Sequence, residues 1–234
     1  MTGLGFRGID WTQVAHEISA RGYAKLPNLI DSKLCASLKN SYENEELFRN
    51  RIVMARHGFG QGEYKYFDNP LPPAVAELRN NLYPPLAEVA NRWIDALKLA
   101  QPFPSTLFAF TKRCHDAGQT RPTPLLLRYG PGDYNCLHRD LYGELAFPLQ
   151  VAVLLDRPGT DFTGGEFILT EQRPRMQSRA EVVHLTRGDA VIFPVDERPV
   201  QGTRGTYRVR MRHGVSRILS GERHTLGIIF HDAA

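Results

Sequence analysis

Leu127-Arg128-Tyr129-Gly130-Pro131-Gly132-Asp133-Tyr134-Asn135-Cys136-Leu137-His138-Arg139-Asp140 is the stretch from which the rest of this chain is read. It ends in His138-x-Asp140. In an extended chain, side chains two residues apart point to the same side, so this imidazole and carboxylate can reach one metal ion. A second His from elsewhere would complete the two-His, one-carboxylate face that holds non-haem Fe(II) and leaves positions open. The spacing alone decides little. With 8 His and 25 acidic residues such pairs recur by chance, and a surface His beside a solvated Asp is the ordinary alternative. What surrounds the pair decides the fold.

From residue 123 onward, one short strand follows another: 123–129, 147–155, 166–170, 181–186, 190–194, 206–216 and 223–230. Gly130-Pro131-Gly132, Arg157-Pro158-Gly159, Gly164-Gly165, Arg187-Gly188-Asp189 and Ser220-Gly221 supply the turns. Before residue 123 the periodicity is mostly helical. Asp10 fits an N-cap, with Gln13 at the capping-box position, Trp11, Val14 and Ile18 at helical spacing, and Gly22 as the stop. Residues 23–26 read as a short strand, and Asp31 can cap a second helix with Leu34, Leu38 and Tyr42 on one face. Residues 51–55 read as another strand. A long stripe over 72–99 (Val75, Leu78, Leu82, Leu86, Val89, Trp93, Ile94, Leu97) should be kinked or split by Pro84-Pro85. Residues 112–116 read as a polar connection, with His115 a remote ligand candidate or simply a solvated loop His. Helices first and strands after predict an α+β fold within one domain. It is a double-stranded β-helix (jelly roll) over 123–234, buttressed by helical support in 1–122.

At 234 residues and 42% hydrophobic, the chain can bury a large core. A formal charge of +4 leaves room for an anionic partner and equally suits plain solubility. Cys35, Cys114 and Cys136 are odd in number and dispersed, which argues against a disulfide framework and a thiolate zinc site. Residues 1–9 hold no signal-like apolar run, and no stretch approaches bilayer length. The expectation is a cytoplasmic protein with no membrane partner and no obligate protein partner.

Two segments invite a substrate role. Residues 57–67 place three glycines within five positions ahead of Glu63-Tyr64-Lys65-Tyr66-Phe67, where Tyr64 and Tyr66 share a side. They read as a candidate lid over a site, or as an edge strand packing two tyrosines on the core. Residues 171–179 carry Arg173, Arg175 and Arg179, a phosphate-tracking loop or a solvated one.

The third ligand comes from the remaining histidines: His184, His213, His224 or His231. Along 206–213 the residues Val209, Met211 and His213 face one way and Arg208, Arg210 and Arg212 the other. An inward His in an apolar row suits a metal ligand, and a core His bonded to backbone is the competing reading. In the last strand Arg223, Thr225 and Gly227 share one face, against His224, Leu226, Ile228 and Phe230. A buried Arg without an anionic partner is costly, and its fork suits a carboxylate. A ligand carboxylate would satisfy it, as would a salt bridge to Glu222 or Asp232.

Taken in order, these motifs resemble the catalytic core of the Fe(II)/2-oxoglutarate dioxygenases, with last-strand spacing similar to the prolyl-hydroxylase-like branch. They are His138-x-Asp140, Gly164-Gly165-Glu166, Gly188-Asp189 with Phe193, His213, and Arg223 ten residues on. The whole chain also resembles a bacterial group of such oxygenases proposed to act on damaged nucleic acid. The resemblance implies that His138, Asp140 and His213 hold Fe(II). It implies that Arg223, helped by Thr225 and Tyr129, anchors 2-oxoglutarate, and that O2 is consumed, with ascorbate a candidate stimulant. Oxidative decarboxylation to succinate and carbon dioxide would then drive hydroxylation of a substrate C–H bond, and on an N-methyl group would release formaldehyde. Three readings compete. One is an oxidative demethylase of alkylated nucleic acid, with Tyr64 and Tyr66 as candidate base-stacking residues. The others are a hydroxylase of a protein side chain or small metabolite, and a non-oxidative jelly-roll metal binder, against which Arg223 counts.

Overall fold

The computed structural model describes residues 3–141, 143–203 and 205–234. In chain order its elements are α1 (Trp11–Arg21), β1 (Ala24–Leu26), α2 (Ser32–Asn40), β2 (Phe48–Val53), β3 (Gly60–Gln61), β4 (Glu63–Phe67), α3 (Pro73–Ala96) and α4 (Leu107–Asp116). Then follow β5 (Leu125–Tyr129), β6 (Tyr134–His138), β7 (Leu149–Leu154), β8 (Phe162–Gly164), β9 (Phe167–Gln172), β10 (Arg179–Val183) and β11 (Ala190–Pro194). The last are β12 (Glu197–Gly202), β13 (Gly205–Val215), β14 (Ile218–Gly221) and β15 (Arg223–Ile228).

Two antiparallel sheets face each other as a jelly roll. The larger has seven strands in the order β1-β11-β7-β15-β5-β4-β2. The smaller runs β10-β9-β13-β6-β3, with β12 also paired to β13. Alternation decides which side chains go where. On β15, Leu226 and Ile228 join Leu126, Val151, Val153 and Ile192 in a core shared with the helices, through Ile18, Leu38, Leu82, Leu86 and Phe110. Each such side chain contributes about 1.5–3 kcal/mol when taken fully out of water. The opposite faces of the same strands turn toward the smaller sheet and carry the site. No helix among the described residues is long and apolar enough to cross a membrane.

The caps of α1 are as expected in part. Asp10 accepts from the Thr12 and Gln13 amides, and Gly22 closes the helix at φ 85°. The Gln13 side chain, however, donates to Glu17 instead of reaching back to complete a capping box. Pro84 and Pro85 do not split α3. The carbonyls they leave without a helical donor belong to Asn80 and Asn81, which are exposed and open to water. Tyr83 meanwhile clamps the helix from inside, with its ring 5.0 Å from Phe147 and 5.7 Å from Phe110. Residues 112–116 are not a polar connection. They end α4, which Thr106 caps at the Ala109 amide and which buries Leu107, Phe110 and Cys114. Only three of its ten positions are buried, and Phe108 faces solvent, so the stripe is too thin to announce it.

The N-terminal half is also less purely helical than expected. Strands β1, β2 and β4 widen the large sheet and β3 extends the small one. This changes the reading of 57–67. Strand β4 is an interior strand between β2 and β5, with Tyr64 opposite both Ile52 and Leu127. β3 pairs with β6 through Gly60 opposite Asn135. A Cβ at Gly60, at φ 134°, would collide with the Tyr134 carbonyl, so this close approach requires glycine. The segment is a paired part of the wall and not a free flap.

Candidate active site

A cavity of about 290 Å³ lies between the two sheets, and nearly all the expected site residues line it. His138 closes β6 and His213 stands near the end of β13, opposite it in register. Asp140 follows two residues later. The three ligand atoms lie within 4.8 Å of one another. His138 Nε2 is 3.4 Å from Asp140 Oδ1, and His213 Nε2 is 3.2 Å from Asp140 Oδ2. The other nitrogen of His138, Nδ1, donates to the Cys136 carbonyl at 2.7 Å, which fixes the tautomer that leaves Nε2 free for a metal. His213 Nδ1 is buried with no hydrogen-bond partner. A core His bonded to backbone is therefore not what this residue is, since its polar outlet is Nε2, toward Asp140.

The electrostatics fit a cation site. Burial works to raise the Asp140 carboxyl, but the charge of His213 and hydrogen bonds from both imidazoles hold it well below the usual carboxylate range. Burial lowers His213, with the nearby charge of His138 adding to it. Burial pulls His138 the same way, but its hydrogen bond and attraction to Asp140 outweigh that and raise it.

Arg223 comes from β15, on the inner face of the larger sheet that looks toward this cluster. It is 2% exposed. Nη1 donates to Thr225 Oγ1 at 2.5 Å, and Nε has no partner. No carboxylate of the described residues pairs with it. Glu222 makes no ion pair with it, and Asp232 is taken by Arg79 and His115. Burial lowers its pKa from the ordinary arginine value. Tyr129 is fully buried beside it, with the guanidinium carbon 5.8 Å from the ring centroid and its hydroxyl accepting from Asn135 Nδ2 at 3.3 Å. Gly165 sits at φ 64°, where a Cβ would come within 3.0 Å of Arg223 Cδ. Gly165 thus leaves room for the Ile218 side chain and for the aliphatic stem of Arg223. Asp189 of the Gly188-Asp189 pair is structural, accepting from the Asn28 and Thr186 amides.

The remaining candidates lie elsewhere. His115 pairs with Asp232 at 2.9 Å, and His224 Nδ1 lies 2.9 Å from Asp156. His231 is buried and accepts from the Phe147 amide at 3.2 Å, while His184 is exposed just past β10. Of the two tyrosines, Tyr64 lines the cavity; Tyr66 is buried behind it, with ring centroids 5.3 Å apart. In the basic loop, Arg173 and Arg179 are drawn to the buried Glu171, at 2.9 and 4.0 Å. Sequence reading passed over Asn135, Gln150 and Phe59, which also line the cavity. Gln150 could have been found as the lone amide in the apolar run 147–155.

Residues 62–233 match the model of the Oxygenase-NA family, described as an oxygenase catalysing oxidative methylation of damaged DNA. Two uncharacterized proteins of Mycobacterium tuberculosis, from two strains, are each 49% identical over 168 residues, covering 72% of this chain and 72% of theirs. Among solved structures, a Pseudomonas putida prolyl-4-hydroxylase matches with TM-score 0.54 at 14% identity, covering 96% of this chain and 100% of its own. A 2OG-Fe(II) oxygenase family oxidoreductase from Burkholderia pseudomallei matches with TM-score 0.52 at 16% identity, covering 99% and 97%. A Trichoplax adhaerens prolyl hydroxylase, solved with a hypoxia-inducible-factor peptide, matches with TM-score 0.55 at 13% identity, covering 95% and 89%. At these identities the structural likeness is one of fold.

Proposed function

This chain belongs to the Oxygenase-NA family, and from that premise we propose that it is an Fe(II)- and 2-oxoglutarate-dependent dioxygenase that oxidises a methyl group on damaged nucleic acid. The observation that carries the chemistry is Arg223, a buried guanidinium without a protein carboxylate, in one cavity with the His138–Asp140–His213 cluster. A non-oxidative metal binder has no use for such an arginine.

In this reading His138 Nε2, an Asp140 carboxylate oxygen and His213 Nε2 would hold Fe(II). Bound Fe(II) supplies the activation of O2, with 2-oxoglutarate as the two-electron donor that leaves as succinate and carbon dioxide. Arg223 grips the distal carboxylate of 2-oxoglutarate, with Thr225 orienting the fork and Tyr129 closing the pocket beside it. Leu125, Leu127, Phe167, Phe193 and Val215 wall the cavity with apolar surface that excludes water. Residues 123–234 act as the catalytic core, and 1–122 as its buttress and part of its wall.

The family description supports nucleic acid as the substrate, and the net charge of +4 agrees with it. Hydroxylation of a protein side chain or small metabolite is the second reading, favoured by the likeness in fold to prolyl hydroxylases. Purified protein given Fe(II), 2-oxoglutarate and single-stranded oligonucleotides carrying N-methylated bases should form succinate and formaldehyde in step. Succinate formation stimulated by peptides and not by any methylated strand would replace the first reading with the second.

A further inference from the structure

Gln150 is 4% exposed, lines the cavity, and its Nε2 has no hydrogen-bond partner. A buried amide left unpaired is costly, and in a cavity wall it points to a partner that arrives with a ligand. Its position says which ligand. Phe193 opposes Gln150 across β11 and β7, and the Phe193 ring lies 4.7 Å from that of His213. Gln150 is therefore at the metal end of the cavity. Arg223 reaches only to Thr225, which opposes Leu154 on β7. Four residues of strand separate Leu154 from Gln150, about 13 Å at roughly 3.3 Å per residue. A co-substrate anchored at Arg223 presents its far end to the metal, and the substrate's methyl group must reach the metal as well, so Gln150 borders the space the substrate enters.

We propose that Gln150 is the residue that reads the target: its carboxamide hydrogen-bonds the edge of an extruded, alkylated nucleobase. This rests on the nucleic-acid reading above. A carboxamide offers a donor and an acceptor side by side, the pattern that base edges present in complement. Enzymes that act on a base extrude it, stack it and read its edge. The cavity mouth offers the stacking surface. Phe59 and Leu141 both line the cavity, at 46% and 48% exposure, with Phe59 stacked on His57 at 5.3 Å.

The test uses the full chain with Mn(II) as a redox-silent metal and 2-oxoglutarate. Fluorescence anisotropy compares single strands bearing one N-methylated adenine or cytosine with the unmethylated strand. Gln150→Leu should lose roughly tenfold or more of the preference for the methylated strand, while 2-oxoglutarate binds as in the wild type. Its melting temperature should equal or exceed that of the wild type, because leucine removes the unpaired amide. Gln150→Leu that keeps the full preference refutes the assignment. So does a lower melting temperature with all ligands weakened together, which marks a structural residue. A wild-type protein that prefers no methylated strand overturns the nucleic-acid reading itself, an outcome visible before any variant is made.

Discussion

Replacing Arg223 by Ala should separate co-substrate binding from metal binding. The side chain is 2% exposed, and its Nη1 donates to Thr225 Oγ1 at 2.5 Å, with Nε unpartnered. On the proposed reading, its charge meets the distal carboxylate of 2-oxoglutarate in a poorly solvated pocket. Removing the guanidinium then leaves that carboxylate buried without a partner, which costs roughly 3–5 kcal/mol. At about 1.4 kcal/mol per factor of ten, apparent 2-oxoglutarate affinity should fall roughly a hundredfold or more. Arg223→Lys should recover part of it, because charge returns without the fork. The ligand-free protein should respond in the opposite direction. There the guanidinium is an uncompensated buried charge, so Arg223→Met should leave stability unchanged or raise it. Isothermal titration of 2-oxoglutarate, with iron content and melting temperature measured in parallel, reads all three. Unchanged 2-oxoglutarate affinity in Arg223→Ala would show that this arginine is only structural and would remove the main support for the co-substrate.

Three further outcomes follow from the geometry. His138→Ala, Asp140→Ala and His213→Ala should each abolish turnover and stoichiometric Fe(II) binding, whereas His224→Ala should keep its iron; the reverse pattern in metal analysis would mean the wrong third ligand. Asp156 is buried, and burial works to raise its carboxyl, but hydrogen bonds from His224 and Lys39 outweigh that and hold it low. Its contribution to stability is thus fully present above the unfolded carboxylate value of about 4 and is lost as pH falls below that toward the depressed folded value. Urea midpoints from pH 6 to pH 3 should fall less steeply in Asp156→Asn, and an unaltered slope would rule the residue out. Replacing Arg173, Arg175 and Arg179 together by Ser should weaken oligonucleotide binding only slightly, since Glu171 already holds two of the three; a large loss with a flattened salt dependence would restore the loop to the interface.

What the chain by itself determined was local. Period-two alternation put His213 inward with Val209 and Met211, and Arg223 inward with Thr225, because a strand's side chains alternate whatever it packs against. The turn glycines and the cap at Asp10 acted through a few neighbouring residues and were equally legible. What only the tertiary structure decided depended on partners far away in the chain. β4 could be edge, flap or interior strand until β2 and β5 were seen on either side of it. α4 shows a thin stripe because its burial comes from Phe103, Tyr83 and Phe147, brought in from elsewhere. Whether Arg223 meets a protein carboxylate was settled only when Asp232 turned out to belong to Arg79. Gln150 was a lone amide in an apolar run until folding set it opposite Phe193, whose ring lies against His213. A residue's own side of its strand follows from the chain's stereochemistry; what lies across the cavity from it is created only when the two sheets close.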